Sequence, residues 1–319
     1  MGKLKLALYW AAACGGCDVA VLDTHEKILE IGKLCDIVLW PIATDFKYHH
    51  VEEMADGAID VCLFNGAVRN SENKHLAELL RRKSKVMVAF GSCAMMGGIP
   101  GLANLFGRED ILNRVYKETP STDNPDSVLP QEKLAVPEGE ITLPRFFKSV
   151  YSLNQVVDVD YYVPGCPPAP ERIWEVIQAI VSGQLPPKGS VVGATDKTVC
   201  DECQRRKEEK KVREFKRLAH YTPDRERCLL EQGVLCMGSV TRGGCGVRCP
   251  NSNMPCRGCY GPPPKILDQG AKFISTIGSV MEAMDAAEAE RMVDQIIDPA
   301  GTFYRFGIPT SLLRRARGV

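Results

Sequence analysis

The first half of the chain alternates between short apolar runs and longer segments in which apolar residues recur every three or four positions. The runs KLKLALYW, CDIVLW and KVMVAF predict strands, and the last is nearly continuously apolar, as in a sheet covered by helices on both faces. Segments from Asp18 to about Leu34 and from Ser71 to Ser84 predict amphipathic helices, with Ser71 as an N-cap. This alternation predicts a doubly wound parallel α/β sheet.

The pattern continues beyond an irregular, Pro- and Gly-rich insertion at about 120–144. DVDYYVPGC predicts a further strand, and APERIWEVIQAIVSG predicts a helix that ends near Gly183. Strand alternation is then largely lost and eight of the fourteen cysteines follow, so we divide the chain into domains at 1–185 and 186–319.

The second domain is expected to be mostly helical or irregular. The charged segment from Arg205 to Arg217 carries spaced opposite charges such as Glu209 and Arg213, which favours an exposed helix. The segment AEAERMVDQIIDPAGTFYRFGIPTSLL predicts another helix and an apolar tail that either packs back on the domain or contacts another subunit.

Charge and composition exclude several classes of protein. Forty basic and forty acidic residues leave no net charge, which argues against a nucleic-acid partner. No apolar run is long enough to span a bilayer, and the N-terminus lacks the pattern of an export signal. We therefore expect a cytoplasmic globular protein, and in a reducing cytoplasm fourteen cysteines favour metal binding over a disulfide framework.

Four cysteines follow predicted strands. Cys14 and Cys17 follow the first strand, Cys93 follows KVMVAF, and Cys166 follows DYYV. The carboxyl ends of parallel strands share one edge of a sheet, where ligands bind, so these four thiolates are expected to hold one cluster. Cys35 and Cys62, in contrast, lie inside strand patterns and are expected to be buried apolar residues.

The remaining eight cysteines divide into two sets of four. Their irregular spacing favours iron-sulfur clusters over a zinc ribbon, because each iron of a cluster takes only one protein ligand. Zinc remains an alternative at this point. The sets are Cys200, Cys203, Cys228 and Cys236, followed by Cys245, Cys249, Cys256 and Cys259.

CGGC, GSCA, GGIPG, PGCPPAPERI and the two C-terminal quartets resemble the small, electron-transferring subunit of nickel-iron hydrogenases over essentially the whole chain. MPCRGCYGPPP is most similar to the cytoplasmic, methyl-viologen-reducing type linked to heterodisulfide reductase. The resemblance implies a flavodoxin-like first domain and three 4Fe-4S clusters. It assigns Cys14, Cys17, Cys93 and Cys166 to the proximal cluster, Cys245, Cys249, Cys256 and Cys259 to the medial cluster, and Cys200, Cys203, Cys228 and Cys236 to the distal cluster.

In this family a separate large subunit carries the nickel-iron site, so the resemblance implies an oxidoreductase subunit with no catalytic residue of its own. Cys200 stands where the family commonly has His, and Cys236 and Cys245 are close enough in sequence to exchange roles. Subgroup resemblance alone implies an anaerobic setting, electron bifurcation, and a 2Fe-2S adaptor with heterodisulfide reductase as acceptor. The segment 205–217 would then be a candidate docking site for that acceptor.

Two alternatives remain open. A related quinone-reductase or membrane-hydrogenase subunit shares the first cluster site but usually lacks the second domain with eight cysteines. A zinc-stabilised scaffold would use the same thiolates without redox chemistry.

Overall fold

Nine strands form three sheets in the structure, a computed structural model that describes residues 2–314. The strands are β1 (Leu4–Trp10), β2 (Cys35–Leu39), β3 (Ile59–Asn65), β4 (Val68–Asn70), β5 (Ser84–Phe90), β6 (Lys133–Val136), β7 (Gly139–Thr142), β8 (Phe146–Tyr151) and β9 (Tyr161–Val163). Five of them pair in parallel in the order β2-β1-β3-β5-β9. This is the flavodoxin-like order, in which the direction of winding reverses at β1. The predicted doubly wound parallel sheet is confirmed.

Twelve α-helices accompany these strands within the described residues. They are α1 (Gly16–Leu22), α2 (Lys27–Leu34), α3 (Tyr48–Glu52), α4 (Ser71–Lys83), α5 (Ser92–Met96), α6 (Arg108–Asn113), α7 (Pro170–Val181), α8 (Val199–Glu202), α9 (Arg248–Asn251), α10 (Gln269–Val280), α11 (Ala286–Asp294) and α12 (Pro299–Phe303). Short 3₁₀ turns cover Ile99–Leu105, Leu153–Gln155, Met237–Val240 and Ile308–Thr310, and a π-helical turn covers Arg114–Glu118. None of the helices between residues 2 and 314 has the length and apolarity needed to cross a membrane.

The sheet is covered on both faces because successive strand residues point to opposite sides. On one face Leu6 and Leu8 of β1 pack in a core with Ile173 of α7, and this core also contains residues of α1 and α2. On the other face Ala7 and Tyr9 belong to a core that contains residues of α4. The helices therefore fix the positions of the strand ends from above and below.

The second half of the chain has two smaller cores and is mostly irregular, as expected. One core gathers Phe273 of α10, Phe303 of α12 and Ile308, so the apolar C-terminal segment packs back on the domain. Several hydrogen bonds join this half to the sheet domain. They include Ser92 Oγ to the Cys259 carbonyl (2.6 Å), Arg172 Nε to the Gly244 carbonyl (3.0 Å) and Gln155 Nε2 to the Pro309 carbonyl (2.6 Å).

Four local predictions were wrong. The first helix is divided into α1 and α2 by a turn in which His25 has a φ of 55°. The N-cap of α4 is Asn70, whose side chain accepts from the Asn73 N–H, rather than Ser71. The irregular insertion contains the antiparallel hairpin β6–β7. No helix forms over 205–217. Its cations form ion pairs with a distant residue or with a close neighbour in sequence, and these pairs replace the pairing along one helix face that the prediction assumed.

Candidate metal centres

The four cysteines at the carboxyl edge of the central sheet lie together. Cys14 follows β1, Cys17 lies in the first turn of α1, Cys93 lies in α5, and Cys166 follows β9. The Cys17 thiol interacts electrostatically with the other three thiols. We call this set the proximal group. Cys35 and Cys62 are buried within β2 and β3, away from this set.

Glycines leave the space that two of these thiols occupy. A Cβ on Gly91 would lie 2.4 Å from Cys17 Sγ, and a Cβ on Gly98 would lie 2.4 Å from Cys93 Sγ. Both glycines also have positive φ, which L side chains rarely adopt. Gly98 is the second glycine of the GGIPG motif, which was the sequence signal for this close approach.

Backbone N–H groups point at the sulfurs of this group. The Gly16 N–H donates to Cys14 Sγ at 3.4 Å, and the Ile99 N–H donates to Cys93 Sγ. Such hydrogen bonds favour the thiolate form that iron binds.

Asp18 is fully buried beside the proximal group, and the N-cap of α1 is Gly15. Its carboxylate accepts from Trp40 Nε1 at 2.8 Å and from Asn65 Nδ2 at 2.6 Å. Burial raises the pKa of Asp18, while these two hydrogen bonds oppose the shift. The side chain therefore ties the turn that carries Cys17 to β3 and to the end of β2.

A second set of thiols surrounds α8. Cys200 interacts electrostatically with Cys236, Cys228 and Cys203, and Cys236 in turn with Cys228 and Cys203. The helix that carries Cys200 begins at a capping box in which Thr198 Oγ1 accepts from the Asp201 N–H. We call these four cysteines the distal group.

The other four cysteines form the medial group. Cys259 interacts electrostatically with Cys249 and Cys245. Cys256 interacts with Cys236 of the distal group and, more weakly, with Cys259. Cys245 therefore lies with Cys249 and Cys259, whereas Cys256 lies between this set and the distal group. The division of the eight later cysteines into two quartets stays a prediction.

Two hydrogen bonds connect the three groups in series. The Cys166 N–H of the proximal group donates to the Cys259 thiol of the medial group. The Cys256 N–H of the medial group donates to Cys236 Sγ of the distal group at 3.2 Å. The order along the molecule is therefore proximal, medial, distal.

The donor set fits iron-sulfur clusters. All fourteen cysteines are free thiols. Burial raises the pKa of Cys93, Cys200 and Cys259 to about 12. Iron binding would displace their protons.

Among residues 2–314, no three His, Cys, Asp or Glu side chains are placed to hold a single metal ion. A cubane binds each thiolate through a different iron, so its four ligands lie farther apart than four that share one ion.

The chain is similar to several known proteins. The family described as NADH ubiquinone oxidoreductase, 20 Kd subunit, matches residues 14–180. The iron-sulfur subunit of the F420-non-reducing hydrogenase of Archaeoglobus profundus is 43% identical over 98% of both chains. A subunit of the F420-non-reducing hydrogenase of Methanothermobacter marburgensis is 35% identical over 98% of this chain and 96% of its own.

Solved structures give the same class. A chain of the NAD+-reducing [NiFe]-hydrogenase in the H2-reduced state is 31% identical, with a TM-score of 0.50, over 58% of this chain and 94% of its own. A chain of the [NiFeSe]-hydrogenase of Dm. baculatum shares the fold at 18% identity, with a TM-score of 0.52, over 83% of this chain and 96% of its own.

The chain belongs to the family of nickel-iron hydrogenase small subunits. Within that family it is similar, over nearly its full length, to the matching subunits of the F420-non-reducing hydrogenases.

Proposed function

We propose that the chain relays electrons between a nickel-iron large subunit and an acceptor protein through three 4Fe-4S clusters. The observation that carries the proposal is the series of neighbouring thiols that runs from the edge of the sheet into the second half of the chain, linked by the Cys166 and Cys256 N–H groups. Membership of the hydrogenase family supplies the class of reaction.

The residues have separate tasks in this proposal. Clusters, when bound, supply one-electron oxidation and reduction. The proximal, medial and distal groups would each hold one cluster, as Cys14, Cys17, Cys93 and Cys166; Cys245, Cys249, Cys256 and Cys259; and Cys200, Cys203, Cys228 and Cys236. N–H groups directed at the sulfurs would stabilise the charge, and burial would limit the access of water.

The wider assembly follows from similarity alone. Hydrogen would be split in the large subunit, which leaves this chain without a catalytic residue. The likeness to the F420-non-reducing hydrogenases supports an assembly in the cytoplasm of an anaerobic organism, with a 2Fe-2S adaptor, heterodisulfide reductase and electron bifurcation downstream. The division at 1–185 and 186–319 would separate the proximal group from the other two, apart from the contacts described above.

Iron and sulfide analysis of this chain, purified anaerobically with its large subunit and freed of the acceptor subunits, tests the relay. We expect about twelve inorganic sulfides per chain and as many irons beyond that of the nickel-iron site, whereas one cluster would give about four of each and a zinc scaffold would give zinc without sulfide. Either of the last two results would reject the proposal. A second experiment tests the division of the eight later cysteines. The variant Cys245→Ser is purified in the same way and measured by electron paramagnetic resonance. The substitution should remove the medial signal and leave the distal signal.

A further inference from the structure

A cleft with a volume of about 370 Å³ opens in the second half of the chain. Its floor is apolar and includes Phe215, Val234 and Met237, and its rim carries several cationic side chains. These are Lys216, Arg217, Arg257 and Arg305. We call it the arginine cleft. Its size is within the range of sites that bind small ligands or a few side chains.

Three of the four cations, Arg217, Arg257 and Arg305, form no ion pair with any residue between 2 and 314, whereas Lys216 pairs with Glu214 at 2.6 Å. Arg305 Nε is buried without a hydrogen-bond partner in the same part of the chain. Burial and the nearby positive charge of Arg257 lower the pKa of Arg305, and the nearby carboxylate of Asp298 opposes this shift.

The acidic residue of the cleft is already engaged. Asp298 lines it too, but its carboxylate accepts from the Gly301 N–H at 2.8 Å and caps α12. The cleft therefore holds guanidinium groups at close range with apolar surface beneath them. That combination suits an anionic group carried on an apolar body.

The cleft lies beside two of the thiol groups. Cys256 lines its wall, and Arg257 follows directly. Val234, Leu235 and Met237, also in the wall, flank Cys236 along the chain. Since the Cys256 N–H donates to Cys236 Sγ at 3.2 Å, an occupant would sit where the medial and distal groups meet.

The charged segment 205–217 contributes its last two cations to the cleft. Lys211 and Arg213 bind Glu282, which neutralises one of their two charges. Lys216 and Arg217, at the end of the same segment, stand with Arg257 and Arg305 in the arginine cleft.

We propose that the arginine cleft binds an acidic segment of the protein that accepts electrons from this chain. A carboxylate would bind Arg257 and Arg305, and an adjacent apolar side chain would cover the floor. This inference rests on the proposed relay. It places the acceptor beside the medial and distal groups and makes its binding sensitive to salt.

The test uses the native complex with Arg257→Gln and Arg305→Gln combined, purified through its large subunit. Hydrogen-driven reduction is measured with two dyes, an anthraquinone disulfonate and methyl viologen, which are a dianion and a dication. We expect the ratio of kcat/KM for the dianion to that for methyl viologen to fall about tenfold, because charge-assisted hydrogen bonds are lost. The acceptor subunits that accompany the wild-type complex should also be lost on purification.

Two further variants complete the design. The double variant Lys211→Gln, Arg213→Gln also removes two positive charges, but next to Glu282 and outside the cleft. It should leave both the dye ratio and the co-purification of the acceptor subunits unchanged. Arg217→Gln alters only an exposed side chain of the rim, so it should fold normally and lower the ratio in the same direction.

An unchanged ratio in the rim variant and in the double variant would overturn the proposal. A lower ratio with the acceptor subunits still bound would show a small-anion site and would overturn the docking assignment. Failure of the relay itself would be seen separately, as a low iron content in the wild-type complex.

Discussion

Gly91 and Gly98 determine how closely the backbone approaches Cys17 and Cys93. Neither position has room for a Cβ, because in both cases a cysteine sulfur lies only 2.4 Å from the point where the Cβ would be. The positive φ at both positions adds a second reason for glycine. The proximal group therefore depends on residues that carry no ligand atom.

Replacing Gly91 by Ala should remove the proximal cluster and leave the other two. The new methyl group must displace the Cys17 sulfur, so we expect iron to fall by about four atoms per chain. Gly32→Ala is the matched control, because nothing lies within 4 Å of a Cβ there and the residue is inside α2. The control should keep its iron and gain about 0.5–1 kcal/mol in stability. Equal iron contents in the two variants would contradict the argument.

At the level of secondary structure, the carboxylate of Asp160, directly before β9, links this strand to its neighbours. Asp160 Oδ2 accepts from Arg81 Nη1 of α4 at 2.6 Å and from the Met87 N–H of β5 at 2.8 Å. Its Oδ1 lies 2.6 Å from Lys188 Nζ. Burial would raise the pKa of Asp160, but these three hydrogen bonds together lower it below its usual value. The carboxylate is therefore charged at neutral pH and joins a helix, two strands and the following loop.

Asp160→Asn should destabilise the chain by about 1–3 kcal/mol, since Arg81 and Lys188 lose their charged acceptor. The measurement is the midpoint of anaerobic thermal unfolding at neutral pH. Asp36→Asn is the control, because its contact with Lys3 at 3.4 Å is exposed and should contribute less than about 1 kcal/mol. A midpoint for Asp160→Asn as high as that of the control would disprove the role assigned to this carboxylate.

Elements with a strong local pattern could be predicted from the sequence. The strands of the sheet and the cysteines at their ends follow from apolar runs and from where those runs stop. The turn at His25 could not be predicted, because the apolar positions continue across it. The segment 205–217 has helical charge spacing, yet distant Glu282 binds two of its cations. The arginine cleft was also missed, because Arg217, Arg257 and Arg305 are far apart in sequence.

Across the whole molecule, the proximal group lies at the carboxyl edge of the sheet and the distal group at the opposite end of the series. Cys14 is exposed at that edge. The segment that follows Cys93 also exposes apolar side chains, with Ile99 43%, Leu105 40% and Phe106 58% accessible. An obligate interface with a large subunit, of about 2,000 Å² or more, would cover such a surface.

Phe106→Glu should therefore weaken assembly with the large subunit, because a charge would be buried without a partner. The measurement is the yield of large subunit that co-purifies with the tagged chain, which we expect to fall at least several-fold. Met284→Glu is the control, since this residue is 91% exposed in the loop between α10 and α11. Equal yields would place the interface elsewhere.

The N–H of Cys256 reaches across to the sulfur of Cys236, so a ligand of one proposed centre is also part of the immediate surroundings of the next. Charge gained on one side of this hydrogen bond raises the work of adding charge on the other. The two centres should consequently not titrate independently. Their reduction would extend over a wider range of potential than that of two isolated centres.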